Sequence, residues 1–156
     1  MYYMSANIKD VRIIEQLNED GRLSLRKIAD RLDYSPSTVS NHFQGLHDKE
    51  VIKGFRPQLD YGKLGFSFTC ITQIKTEAGK QKEVSKTLSE KSYIHSLYQV
   101  TGDTDIIAIC KFISREKMRE NLTDDLNQLE GITDTKTNVV LESRVEGRPL
   151  DLSGLR

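Results

Sequence analysis

The chain has 156 residues, enough for one domain or two small ones. Hydrophobic residues make up 37% and charged residues 29%, with 23 basic against 23 acidic side chains. This is the balance of an ordinary soluble globular protein, without a broad basic footprint. No apolar run reaches the ~18 residues of a membrane span. The start, Met1-Tyr2-Tyr3-Met4-Ser5-Ala6, lacks the basic stretch and apolar core of a secretory signal. A cytoplasmic protein is expected, with no membrane partner.

Hydrophobic periodicity organises the first third into three helices. Ile8, Val11, Ile14 and Leu17 recur every three residues, with Ile13 beside them. This stripe ends at Asn18-Glu19-Asp20-Gly21, with Gly21 expected as a left-handed stop. Ser24 is placed to cap a second helix with the stripe Leu25, Ile28, Ala29, Leu32. Asp33-Tyr34 makes the turn. Ser35 caps the third helix, and Pro36 takes the first helical position, where its missing N–H costs nothing. Val39, Phe43 and Leu46 point inward. This is the layout of a helix-turn-helix.

Residues at 100° intervals put Ser37, Thr38, Ser40, Asn41, Gln44, Gly45 and Asp48 on the outer face of the third helix. Hydroxyls bond phosphates or base edges, and Asn and Gln amides can read adenine through paired bonds. Ser37, Thr38, Ser40, Asn41 and Gln44 are therefore the candidate DNA contacts. Lys53 and Arg56, just beyond, are candidates for the DNA backbone. Val51-Ile52 suggests a short strand, as a wing or a link, before Pro57 stops regular structure.

The remainder reads strand, helix, strand, strand, helix, strand. Phe66, Phe68 and Cys70 alternate with Ser67 and Thr69 and lead to Ile71 and Ile74. Ala78, Gln81, Val84 and Leu88 suit a helix over 78–91. Strands follow at 94–101 and 105–112, joined by Gly102-Asp103-Thr104. Met118, Leu122, Leu126 and Leu129 mark a second helix that ends at Gly131, and the fourth strand runs over 132–141. The order βαββαβ is the ferredoxin-like arrangement, an open sheet with helices on one face. The third strand is apolar at nearly every position, which calls for a cover on the other face. A second copy of the chain is the simplest cover, so a homodimer is expected.

The cysteines, Cys70 and Cys110, fall on the central strands of such a sheet. They are expected to stay reduced and to serve as small buried hydrophobes. Neither shares a metal-ligand spacing with His42, His47 or His95, so no metal and no cofactor are expected.

Taken together, these segments resemble the Lrp/AsnC (feast/famine) family of transcription regulators. The matching pieces are Asn18-Glu19-Asp20-Gly21-Arg22-Leu23-Ser24, Ile28-Ala29-Asp30-Arg31-Leu32, Ser35-Pro36-Ser37-Thr38-Val39, Lys49-Glu50-Val51-Ile52-Lys53-Gly54-Phe55, Lys63-Leu64-Gly65-Phe66 and Val100-Thr101-Gly102-Asp103-Thr104-Asp105. They cover about residues 7–145. The resemblance implies an α+β protein: an N-terminal winged helix-turn-helix domain (1–54), a linker (55–65), a ferredoxin-like domain (66–145) and a C-terminal tail (146–156). It implies homodimers that assemble further, often into octamers. It also implies a small-molecule effector, usually an amino acid, held at Thr101, Gly102, Asp103 and Asp105 with Thr135 and Thr137 facing them.

The function expected is a sequence-specific, DNA-binding transcription regulator modulated by an amino acid, with double-stranded DNA as its partner. The alternative is a sensor or assembly protein of the same fold without specific DNA binding. One departure favours it: the family's reading helix is commonly rich in Arg and Lys, whereas positions 40–45 here are Ser-Asn-His-Phe-Gln-Gly. An enzyme is not expected, since no Ser/His/Asp set, phosphate loop or metal cluster is present.

Overall fold

The computed structural model describes residues 7–155. It divides into two compact units: unit 1 runs to Gln58 and resumes at Val145, and unit 2 is Leu59–Arg144.

Unit 1 holds α1 (Ile8–Glu19), α2 (Leu25–Leu32) and α3 (Pro36–Asp48). Each helix begins on a side-chain cap. Asn7 Oδ1 accepts the Lys9 N–H at 3.0 Å, Ser24 Oγ that of Lys27 at 3.3 Å, and Ser35 Oγ that of Thr38 at 3.1 Å. Such caps contribute ~1 kcal/mol each. The inward stripes meet in a core of Ile13, Ile28, Ala29, Val39 and Leu46, all at or below 1% exposure. Asp33 turns the chain between α2 and α3 in the left-handed region (φ 55°), and its N–H bonds the Ala29 carbonyl.

Two expectations for unit 1 need correction. Gly21 is not a left-handed stop. Asp20 ends α1 in extended conformation, and Gly21 has no positive φ. A Cβ here would stand 3.7 Å from Phe55 Cδ1, an ordinary contact, so Phe55 packs over this position without depending on its being glycine. The strand at Val51-Ile52 does not form either, because both amides bend back to the Leu46 carbonyl (2.9 and 3.2 Å) and finish α3.

Unit 2 is a four-stranded antiparallel sheet of β1 (Phe68–Thr76), β2 (Ile94–Gln99), β3 (Ile106–Phe112) and β4 (Ile132–Val139) in the order β2-β3-β1-β4. The helix α4 (Gln81–Ser89) follows β1, and α5 (Arg115–Arg119) follows β3. This is the ferredoxin-like order. Cys70, Ile74, Ile106, Ala108, Cys110 and Phe112 face the helices and pack with Val84, Leu88 and Leu126. Pleating turns Ile71, Ile107 and Ile109 to the opposite face. There Ile71 is exposed, and Ile107 and Ile109 are half-buried.

β1 starts at Phe68 rather than Phe66. The Phe66 amide is taken by the Tyr61 carbonyl at 2.9 Å, which closes a turn and sets the two rings edge-on at 5.6 Å. The second helix is not continuous. After α5 the backbone widens into a π turn, Glu120–Asp125, then tightens into a 3-10 turn, Leu126–Gln128. Met118, Leu122 and Leu126 are four apart, and four α-helical residues overshoot a full turn by about 40°. The wider turn absorbs that drift, so all of them and Leu129 reach the core. Asp125 is held there by Lys91 and by the Tyr93 hydroxyl (3.0 Å). Burial, with Asp125 beside it, pushes the Tyr93 hydroxyl pKa well up.

Candidate functional site

The first turn of α3 is a hydroxyl cluster. Ser35 Oγ lies 3.0 Å from Ser37 Oγ and 2.7 Å from Thr38 Oγ1, besides holding the Thr38 amide. The same bonds that start the helix therefore orient two candidate DNA contacts. Ser40, Asn41 and Gln44 follow on the exposed side, while Thr38 is half-buried. Gln44 Nε2 donates to Asp48 Oδ1 at 2.8 Å, so its amide is engaged along the helix. Lys53 and Arg56 are exposed on the segment after α3.

His42 lies on the same helix, and periodicity alone does not single it out. Its Nδ1 is 2.6 Å from Asp10 Oδ1 of α1, and the two side chains are only 24% and 13% exposed. The pair pins α3 to α1 beside the exposed row. No sequence signal links residues 32 positions apart; only the crossing of two helices brings them together. On the other flank Phe43 stacks on Phe55 (centroids 6.3 Å apart, planes at 20°), with His47 edge-on to Phe43 at 5.0 Å.

In unit 2 the β2–β3 turn places the second set of candidate residues. Thr101, Gly102 and Asp103 are exposed at its tip, and Gly102 has φ +116°. Asp105 is bonded back into the fold. Its N–H donates to the Ile74 carbonyl at 3.1 Å. Its Oδ2 accepts the Thr76 N–H at 2.7 Å and the Thr76 hydroxyl at 3.1 Å. Its carbonyl accepts from Gln81 Nε2 at 3.0 Å. One residue thus ties the turn to the end of β1 and the start of α4. Thr104 Oγ1 donates to the same Ile74 carbonyl at 3.0 Å.

Thr135 and Thr137 sit on β4, opposite Ile74 and Thr72 of β1. Thr135 therefore shares Ile74 with the turn, while Thr137 lies two pairs further along. Both hydroxyls have partners within the chain: Thr135 donates to Asn127 Oδ1 at 2.7 Å, and Thr137 shares a 3.0 Å bond with the buried Thr72. Among the described residues no cluster of three or more His, Cys, Asp or Glu side chains could hold a metal ion. No described helix is long and apolar enough to cross a membrane.

Comparison with known proteins gives this arrangement its family. The Lrp/AsnC ligand binding domain matches residues 69–150, and a winged helix-turn-helix DNA-binding domain matches residues 7–53. An uncharacterized HTH-type transcriptional regulator of Pyrococcus furiosus is 39% identical over 133 residues, 85% of this chain and 89% of its own. The HTH-type transcriptional regulator FL11 of Pyrococcus horikoshii is 30% identical over 143 residues, 92% of this chain and 94% of its own. Among solved structures, a transcriptional regulator of Neisseria meningitidis in complex with L-Met has a TM-score of 0.86 at 20% identity, covering 97% of this chain and 99% of its own. AsnC of E. coli has a TM-score of 0.85 at 21% identity, covering 92% and 97%. The likeness to these two is one of fold. The family is one of regulators, not enzymes. A helix-turn-helix unit followed by a ligand-binding sheet unit, matched along most of the chain, makes this protein a member of the Lrp/AsnC family of transcription regulators.

Proposed function

We propose that the chain regulates transcription in the cytoplasm by binding double-stranded DNA sequence-specifically through the exposed side of α3. The observation that carries this reading is the capped start of α3, which orients Ser37 and Thr38, with Ser40 and Asn41 exposed just beyond them. Asn41 is the base-reading group, since Gln44 is engaged by Asp48. An amide pairs with adenine in the major groove, and positions 36–48 carry no Arg or Lys to read guanine. Lys53 and Arg56 supply phosphate contacts. A fluorescence-anisotropy titration with the DNA upstream of the chain's own gene tests it. Asn41→Ala should cost about 1–3 kcal/mol at the specific site. Equal binding by wild type, Asn41→Ala and Gln44→Ala would sink this placement.

The effector is an amino acid at the β2–β3 turn. The solved relative in complex with L-Met supports the ligand class, and the exposed turn supports the place. Thr101, Gly102 and Asp103 meet the ligand, Asp105 shapes the turn, and Thr135 and Thr137 line the neighbouring strand. The active form is a homodimer, with higher assemblies such as the octamer built from it. The exposed Ile71 and half-buried Ile107 and Ile109 on the open sheet face support this reading. Sedimentation showing a folded monomer at micromolar concentration would overturn it.

A second reading has one observation in its favour. Residues 1–54 carry eight basic side chains and eight acidic ones, so the DNA-reading unit has no net attraction for phosphate. On that reading the protein senses or assembles without specific DNA binding. Affinity that does not distinguish its own upstream DNA from random DNA would select it.

A further inference from the structure

Unit 1 combines two separated stretches of the chain. The chain leaves it after Gln58, builds the whole sheet unit, and returns at Val145. The returning segment lands on a groove of about 1100 Å³. One wall is α1, with Ile14 and Leu17; the second is the connector after α3, with Ile52 and Phe55; the third is the tail, with Leu152 and Leu155. A 3-10 turn at Ser153–Leu155 shapes the tail, with the Leu155 N–H donating to the Leu152 carbonyl at 2.9 Å and the Ser153 N–H to Asp151 Oδ1 at 2.9 Å. In such a turn side chains three apart eclipse, so both leucines fall on one side.

The opposite wall has little else to hold it. Val51 and Ile52 bond the Leu46 carbonyl, but from Lys53 to Leu59 no backbone hydrogen bond is made among the described residues. The position of this connector therefore rests on side-chain packing: Phe55 on Phe43, and the groove. The connector also carries Lys53 and Arg56, which line the same groove.

We propose that Leu150–Leu155 is a strap that borders the 51–58 connector and α1, with Leu152 and Leu155 as the third wall of this groove limiting how far the connector can move. This wall is loosely held: Leu152 is half-buried and Leu155 stays 55% exposed. A contact that buries so little apolar surface opens readily, which suits a reversible device. The strap is continuous with β4 through residues 140–149, so the strand carrying Thr135 and Thr137 leads directly into it. Release of the strap frees the segment that follows the reading helix. That last consequence for DNA rests on the DNA-binding reading above; the strap itself does not.

The connector contains its own reporter. Trypsin cleaves after Lys53, whereas Arg56 is protected by Pro57. In the full-length chain, the double variant Leu152→Glu, Leu155→Glu should be cut after Lys53 about tenfold faster than wild type, with unit 2 sites unchanged. Unchanged cleavage after Lys53 would overturn the strap. A second variant guards against a charged tail that disturbs folding. The chain has no tryptophan, so Leu155→Trp gives a single tryptophan, which is excited at the red edge where tyrosine does not absorb. Its emission should be blue-shifted and partly shielded from acrylamide. Quenching as fast as that of free tryptophan would overturn the proposal as well. The DNA arm is separate: the glutamate variant should change affinity for the upstream DNA by about threefold or more, because a loosened connector must be re-ordered on binding. If wild type itself binds no DNA, the DNA reading fails while the cleavage result still decides the strap.

Discussion

His42 of α3 and Asp10 of α1 are joined by a 2.6 Å contact between Nδ1 and Oδ1, largely shielded from solvent. The two helices also share apolar contacts through Ile13, Val39 and Leu46, which slide more easily than a directional bond. A hydrogen bond with a charged partner contributes about 1.5–3 kcal/mol, and it loses more when one partner is left behind without the other. Asp10→Ala and His42→Ala should each lower the stability of the helical unit by about that amount. The double variant should fall short of the sum, because both changes remove one interaction. Urea unfolding of the four proteins measures it; strictly additive losses would show that the contact contributes nothing.

The left-handed turn residue gives a second test. Asp33 adopts φ 55° between α2 and α3, a conformation that costs an ordinary L-residue about 1–2 kcal/mol. Asp tolerates it better than most, and Gly best. Asp33→Gly should leave the melting temperature unchanged or slightly raised, while Asp33→Val should cost about 1–2 kcal/mol. A valine variant as stable as wild type would mean the turn relaxes out of this conformation.

Much of this architecture is legible in the sequence because it rests on local rules. The stripes Leu25-Ile28-Ala29-Leu32 and Val39-Phe43-Leu46 announce their helices, and Ser24 and Ser35 announce where they start. The alternation around Cys70 and the apolar run from Ile106 announce two strands that prove to be neighbours. What escapes is whatever depends on long-range geometry. The spacing of Met118, Leu122 and Leu126 reads equally well as an α-helix, because side-chain order alone does not reveal a widened turn. Val51 and Ile52 look like a strand by propensity, yet the Leu46 carbonyl captures both amides. Asp10 and His42 are ordinary surface residues until two helices cross. Asp103 and Asp105 look equivalent in the turn, and only the fold gives one of them Thr76 as a partner.

The cysteines predict a pH dependence. Cys70 and Cys110 are directly opposed on β1 and β3, and both are fully buried. Burial raises both thiols, pushing Cys110 from 9.0 up to about 12. In the unfolded chain the thiol ionises near its ordinary value, so the unfolded state sheds its proton first. The stabilisation is therefore fully present below pH 9 and is lost as pH rises from 9 through about 12. Denaturant midpoints should fall across that range, and Cys110→Ala should flatten part of the decline. The Tyr93 hydroxyl, also raised by burial, accounts for a further part. The native protein should also leave both thiols unreactive toward a thiol reagent near neutral pH; rapid labelling of both without unfolding would contradict the buried pair.

The two aspartates of the β2–β3 turn should separate sensing from structure. Asp105 holds the Thr76 amide and hydroxyl through Oδ2, and no other side chain at this turn takes that amide. Asp105→Ala leaves a half-buried backbone N–H without its partner, at a cost of about 1–3 kcal/mol. Asp103 lies exposed at the tip, so Asp103→Ala should cost less than about 0.5 kcal/mol. If the turn holds an amino-acid effector, the roles reverse in a binding assay. A carboxylate at the tip can meet an ammonium group, so Asp103→Ala should abolish the calorimetric signal while leaving the fold and effector-free DNA binding intact. Asp105→Ala should weaken ligand and stability together, because it loosens the frame that presents the tip. Titration of wild type with the twenty amino acids comes first. Heat from none of them would end the amino-acid reading and leave Thr101–Asp105 as a structural hairpin. Binding that survives Asp103→Ala undiminished would keep the effector and move its ammonium partner elsewhere.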